Sequence, residues 1–276
     1  MSRPYVSSAA PFGWHLKTHF PNWLRGNVQY ILIPFALALF LLGWEMIVVI
    51  NQYPMFILPT PRQVAESWIA NWENGNLPRH LVLTLGEIGL AFGIALIFAA
   101  SIGYLLAKSP LLEKIVSPYI VASQAIPLVA LGPLIVIWLR TGPVQNALIA
   151  ALITFFPMLI NTIVGVRNVR EEYRALLRSY AATPWQVFLK LEIPAALPVF
   201  FGGIRVGMTL SVIGVIVAEL MWADRGLGFL INFAQGMLDT PLLFAAVGTL
   251  SVMAIMLYVI AATLERIIIH WRRKVR

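Results

Sequence analysis

Six long apolar stretches run through this chain, at about 29–50, 81–107, 118–139, 144–166, 199–221 and 242–265. A helix needs about 20 apolar residues to cross the hydrocarbon layer of a bilayer. Inside that layer every backbone N–H and C=O must be satisfied within the protein, which leaves helices as the spanning form for runs of this length. The pattern therefore predicts an all-α membrane protein with six transmembrane helices. Composition agrees, since 59% of the 276 residues are hydrophobic and 12% are charged, about half the charged share of a soluble domain. Little chain is left over for a soluble enzyme domain.

The formal net charge of +8 acquires meaning once the charges are placed. With both termini inside, fifteen of the 20 Lys and Arg residues fall on the cytoplasmic side. Arg62, Arg79, Arg140 and Arg225 fall outside, and Arg205 lies within a span. That asymmetry sets the orientation by the positive-inside rule, with both termini cytoplasmic. The basic residues form no stripe that would follow phosphates, so nucleic acid is not expected as a partner. Cysteine is absent, which excludes disulfides, thiolate catalysis and cysteine-ligated metals.

The expected layout is an N-terminal cytoplasmic tail (1–28), a first span (29–50), an external linker (51–80), a membrane domain (81–266) and a basic tail (267–276). The first 28 residues lack the short apolar core and cleavage site of a signal peptide, so the first block reads as an uncleaved span. Residues 222–241 are too polar to span and read as an interfacial or re-entrant element on the outer face. Gly89/Gly93 and Gly203/Gly207 are small-xxx-small pairs, suited to close helix approach. Pro127 and Pro133 should interrupt the third span and Pro157 the fourth.

Catalytic motifs are missing. There is no G-x-x-x-x-G-K-[ST] loop, G-x-S-x-G elbow or H-E-x-x-H pair. His15 and His19 are four apart but have no nearby carboxylate, and His80 and His270 are isolated. No catalytic residue, metal or cofactor is expected. Charged groups inside spans are costly unless paired or wet, which draws notice to Glu45, Glu87, Arg205 and Glu219. A Glu87–Arg205 ion pair is the plain structural expectation. Glu87, Gln124, Asn161, Arg205, Ser211 and Glu219, with Thr209, are the polar candidates for a pathway through the membrane. Each of the uncharged ones suits a helix–helix hydrogen bond better than a solute contact.

The segment 171–198 is unlike a simple connector. Glu171, Glu172, Arg174 and Arg178 sit on a helix expected to extend the fourth span. Thr183 is a good N-cap, Pro184 suits the first helical position and Gln186 completes a capping box. A helix of about two turns should follow, with Trp185, Phe188 and Leu189 on one face. Pro194 and Pro198 should end it before the fifth span. Such an aromatic stripe can lie on headgroups or anchor in a partner's groove.

The run Arg-Ser-Tyr-Ala-Ala-Thr-Pro-Trp-Gln-Val-Phe-Leu-Lys-Leu-Glu-Ile-Pro-Ala-Ala-Leu-Pro (178–198) resembles the EAA loop of ABC-importer permeases. Leu58-Pro59-Thr60-Pro61, Gln124-Ala125-Ile126-Pro127, Phe155-Phe156-Pro157 with Asn161-Thr162, Val217-Ala218-Glu219 and Gly226-Leu227-Gly228 strengthen the likeness. The resemblance implies the type I ABC importer permease fold in the lipid bilayer of a bacterial inner membrane. It also implies two copies of a separate ATPase subunit, an external substrate-binding protein and a homodimer of the permease. By position, Ala181, Ala182, Thr183, Pro184, Trp185, Phe188, Leu189 and Pro194 would form the ATPase-coupling contact. The family's Glu-Ala-Ala falls on Ala175-Leu176-Leu177, and its usual glycine is Ala181, a departure because alanine tolerates positive φ poorly.

The likeness is closest to the branch for nitrate, sulfonate, taurine, and the pyrimidine and riboflavin vitamins. Leu177-Arg178-Ser179 and the stretch 124–131 resemble the pyrimidine and riboflavin permeases, and an acidic second span suits a neutral aromatic vitamin better than an anion. Riboflavin or a thiamine-type pyrimidine precursor is the expected solute, with a sulfonate, taurine or nitrate importer as the alternative. An ion-coupled secondary transporter is the rival from another class.

Overall fold

The computed structural model describes residues 22–140 and 142–271. The expected terminal tails, with His15 and His19, lie largely outside the described residues. The chain divides into two compact units, one ending at Gln52 and the other beginning at Tyr53. The first consists of α1 (Asn22–Asn51), whose stretch Leu32–Asn51 is long and apolar enough to cross a membrane.

The second unit opens with α2 (Pro61–Glu73), which the sequence reading had treated as linker. Thr60 Oγ1 accepts from the Gln63 N–H, and Gln63 Oε1 accepts from the Thr60 N–H at 2.9 Å. The spelling Thr60-Pro61-Arg62-Gln63 repeats Thr183-Pro184-Trp185-Gln186, so the signal for this helix was present in the sequence. Then come α3 (Asn76–Lys108), α4 (Pro110–Ala125), a 3-10 turn (Leu128–Leu131), α5 (Gly132–Leu139) and α6 (Pro143–Arg167). After these follow α7 (Glu171–Ser179), α8 (Pro184–Val187), a π turn (Phe188–Glu192), α9 (Ile193–Trp222), α10 (Leu227–Gly236) and α11 (Thr240–Ile268). No strand occurs among the described residues.

Helices α3, α6 and α9 form the centre of this unit, and α9 approaches α6 along a seam of small residues. A Cβ added to Gly203 would lie 2.7 Å from the Asn161 Cβ, and one added to Gly207 would lie 2.6 Å from the Met158 Sδ. The expected Gly203/Gly207 pair thus sets backbone approach. Gly86, Gly89 and Gly93 do not, because a Cβ there would meet nothing within 4 Å. Helix α2 is tied to α11 by Trp68 Nε1 donating to Thr249 Oγ1 at 3.0 Å.

Among the described residues, five helical stretches are long and apolar enough to span: the one in α1, then α3, α6, the run Pro184–Trp222, and α11. The expected third span is not a single helix. Helix α4 stops at Ala125, and Ile126 is extended (φ −77°, ψ 125°) because the ring of a following proline disfavours the helical region. Pro133 does not interrupt anything, since it falls in the first turn of α5. Helix α6 likewise continues through Pro157.

Candidate functional site

Helix α7 is separate from α6 rather than its extension, with Arg170 extended between them (φ −62°, ψ 135°). Its C-terminus closes with the Ala182 N–H on the Leu177 carbonyl at 3.1 Å and the Ala181 N–H on the Arg178 carbonyl at 2.9 Å. This is a Schellman motif, whose C′ residue must be left-handed and is usually glycine. Here that residue is Ala181, with φ +52°. An L-residue other than glycine is strained there by about 1–2 kcal/mol. Ala181→Gly should therefore raise stability by ~0.5–1 kcal/mol, once glycine's greater unfolded-state entropy is set against the relief. A rise of about 2 °C in the unfolding midpoint in detergent is the expected reading.

Helix α8 begins at the expected cap: Thr183 Oγ1 accepts from the Gln186 N–H at 3.3 Å, and Gln186 Oε1 accepts from the Thr183 N–H at 2.8 Å. The expected aromatic face divides. Trp185 (65% exposed), Leu189 and, across the turn, Tyr180 point outward. Phe188 is half-buried and sets its ring edge-on to Tyr104 of α3, with centroids 5.0 Å apart.

The two prolines do not end this helix, contrary to expectation. From Pro184 to Trp222 the chain is one continuous helix of 39 residues. A π turn makes this possible: the Ile193 N–H bonds back five residues to the Phe188 carbonyl. Pro194 then falls in the first turn of α9, where a missing N–H matters least. Pro198 sits inside α9 without breaking it. The exposed Trp185 is therefore carried on the same rod that crosses the molecule.

At the root of that rod lies a residue for which the sequence reading gave no role. Glu192 is 1% exposed. Its Oε2 accepts from the Tyr104 hydroxyl at 2.9 Å and its Oε1 from the Lys108 ammonium. Arg174 Nε of α7 lies 3.3 Å from the same Oε1, close enough for an ion pair though not aligned as a hydrogen bond. The other arm of Arg174 holds the Val166 carbonyl at 3.2 Å. Beside this knot is a cavity of about 470 Å³, walled by Ala100, Ser101, Thr162, Phe188, Ala196 and Phe200 among others.

A second buried carboxylate fastens the far end of α9. Glu219 accepts from Thr84 Oγ1 at 2.8 Å and from the Gly228 N–H at 2.7 Å, while the Leu227 N–H donates to Thr84 Oγ1 at 2.8 Å. The Gly226 N–H donates to His80 Nδ1 at 2.9 Å. Glu219 thus caps α10, and within residues 222–241 the stretch Leu227–Gly236 is helical, with Leu227, Gly228, Leu230 and Ala234 buried.

Of the remaining polar candidates, Glu87 lies against Glu219, and the others are dispersed. Glu87 accepts from Asn146 Nδ2 at 3.2 and 3.1 Å. Arg205 pairs with Glu265 of α11, with Nε 3.0 Å from Oε2. The expected Glu87–Arg205 pair is therefore absent, and the reason is direction. Helix α3 meets the start of α9 through Tyr104 and its end through Thr84, so the two run antiparallel. Two turns into each lands at opposite ends. Ser211 Oγ lies 3.0 Å from Thr154 Oγ1, and Asn161 Nδ2 donates to the Pro157 carbonyl at 2.8 Å. Gln124 Nε2 reaches the Ile120 carbonyl at 3.4 Å and Thr209 Oγ1 donates to the Arg205 carbonyl at 3.2 Å. Beyond the contact between Glu87 and Glu219, the structure does not gather the candidates into one site. Buried Gln145, whose side-chain amide has no hydrogen-bond partner among the described residues, and Asn146 beside it were missed, since adjacent amides at a helix start look like ordinary surface caps.

Residues 94–275 match the family described as the binding-protein-dependent transport system inner membrane component. The chain is 43% identical to the riboflavin transport system permease protein RibX of Chloroflexus aurantiacus, over 87% of this chain and 89% of that protein. It is 32% identical to the formylaminopyrimidine transport permease protein ThiX of Halalkalibacterium halodurans, over 79% and 87% respectively. In structure it resembles a chain of the MetNI methionine ABC transporter in its inward-facing conformations. The TM-score is 0.58 at 16% identity, covering 67% of this chain and 92% of that one, a likeness of fold.

Proposed function

This chain belongs to the binding-protein-dependent transport inner-membrane family of ABC importer permeases, and from that premise we propose that it is the membrane path and lever of a vitamin importer. The solute is riboflavin or a thiamine-type pyrimidine precursor. Two copies of the chain enclose the path, two ATPase subunits dock on α8 and its flanks from the cytoplasm, and a binding protein delivers solute outside. Six crossings place both termini in the cytoplasm, the segments α4 and α5 around Pro127 together making the third. ATP hydrolysis belongs to the partner. Closure of the ATPase pair moves α8, and the helices switch between outward and inward access as rigid bodies.

The observation that carries this reading is the exposed Trp185 on a capped helix continuous with α9. A ring that large left in solvent beside the exposed Tyr180 and Leu189 is surface made for a partner. The solute is supported by the names of the two relatives and by the acidic rather than basic character of the buried neighbours Glu87 and Glu219.

Reconstitution with the ATPase subunit and binding protein tests it, with riboflavin uptake followed by its fluorescence. Uptake should require ATP on the α8 side and survive collapse of ion gradients by ionophores. Uptake that ignores ATP and follows an ion gradient would make the chain a secondary transporter. Uptake of taurine in place of riboflavin would move it to the sulfonate branch.

A further inference from the structure

We infer that Glu192 is the positioning residue that carries movement of α8 into α3, an inference that rests on α8 being the ATPase contact. The carboxylate sits in the π turn where the docking helix becomes α9, and π turns inside α-helices recur at functional sites. Tyr104 and Lys108, four residues apart on one face of α3, both reach it. Arg174 reaches it from α7 while holding the end of α6 through the Val166 carbonyl. One buried charge thus joins four helices.

Apolar packing alone does not make that junction. The cavity beside the turn lies between Ala100, Ser101 and Tyr104 of α3 and Ile193, Ala196 and Phe200 of α9, and the Phe188–Tyr104 ring contact and the Glu192 bonds bridge the two helices at its edge. Sliding α8 must therefore either draw the Tyr104–Lys108 end of α3 with it or strip a buried carboxylate of its donors. The second course is strongly unfavourable in a low-dielectric interior. The stroke goes to α3.

The chain has no cysteine, so nitroxide labels can be placed singly at Lys190, exposed beside α8, and at Leu105, 60% exposed on α3. In the complete transporter, held in lipid nanodiscs, both labels should respond to ATP. In Glu192→Gln the response at 190 should persist while that at 105 falls about five-fold or more, the scale of an ordinary coupling between sites. Tyr104→Phe keeps the ring contact with Phe188 and removes one of the three donors around Glu192, so it should lower the 105 response by about two- to three-fold while the unfolding midpoint falls by only a few degrees. Full response at 105 in both variants overturns the inference. So does a Glu192→Gln chain that fails to assemble while Tyr104→Phe responds fully, because Glu192 would then be merely structural. A silent label at 190 in the otherwise unaltered chain would instead sink the assignment of α8 as the docking helix.

Discussion

Trp185→Asp should strip the ATPase subunit from the purified complex, weakening its retention by about a hundredfold or more, equivalent to ~3 kcal/mol. Tryptophan is the residue most enriched among interface positions that dominate affinity, because a rigid ring buries much apolar area at little entropic cost. At 65% exposure the Trp185 ring has that area to give, and within the chain its ring neighbour is Phe188 at 5.3 Å. Aspartate removes the ring and would place an unpaired charge in the partner's groove. Folding should be spared, since the cap bonds of Thr183 and Gln186 do not involve the substituted side chain. Subunit ratio after affinity purification reads the effect, and fluorescence size-exclusion of the permease alone reads its integrity. Trp185→Phe should retain the partner. A Trp185→Asp chain that keeps its ATPase and transports normally would remove α8 from the docking surface.

Much of the fold was legible because its signals are local. Apolar run length marked the five long helices, and a threonine–proline–x–glutamine cap marked the start of α8. That spelling at Thr60 marked α2 as well and went unread because the surrounding stretch is rich in proline and asparagine. The breaks were harder. Pro127 ends a helix and Pro194 does not, yet both are prolines in apolar surroundings. The difference lies in whether the preceding turn can widen: Phe188–Glu192 does, and Ile126 is extended instead. The partners of the buried charges were illegible for another reason. Glu192 meets Tyr104 and Lys108 across more than eighty positions, and Glu219 meets Thr84 across 135. Only the antiparallel run of α3 and α9 decides which glutamate meets which partner. The Glu87–Arg205 expectation failed on that point.

Gly226→Ala should be severely damaging. Gly226 has φ +102°, and a Cβ there would sit 2.2 Å from both Cδ and Oε1 of Glu219. The backbone strain alone is worth about 1–3 kcal/mol, and forcing a methyl into a filled site adds about 1–3 kcal/mol. Glu219 cannot yield cheaply, because its oxygens hold the Thr84 hydroxyl and the Gly228 N–H, and loosening a buried charged acceptor costs about 1.5–3 kcal/mol more. A loss of at least ~4 kcal/mol follows, seen as a fall of about 10 °C or more in the detergent unfolding midpoint. Gly236→Ala, where a Cβ meets nothing within 4 Å, should move the midpoint by little. Introduced into a Glu219→Ala background, Gly226→Ala should cost distinctly less, because the carboxylate it strikes is gone; that non-additivity is the mark of direct contact. Equal penalties in both backgrounds would mean that the glycine serves its φ alone. The contact matters beyond stability, since Glu219 ties α9 to α3 at the end opposite Glu192. A buried carboxylate at each end thus ties α9 to α3, as the proposed lever requires.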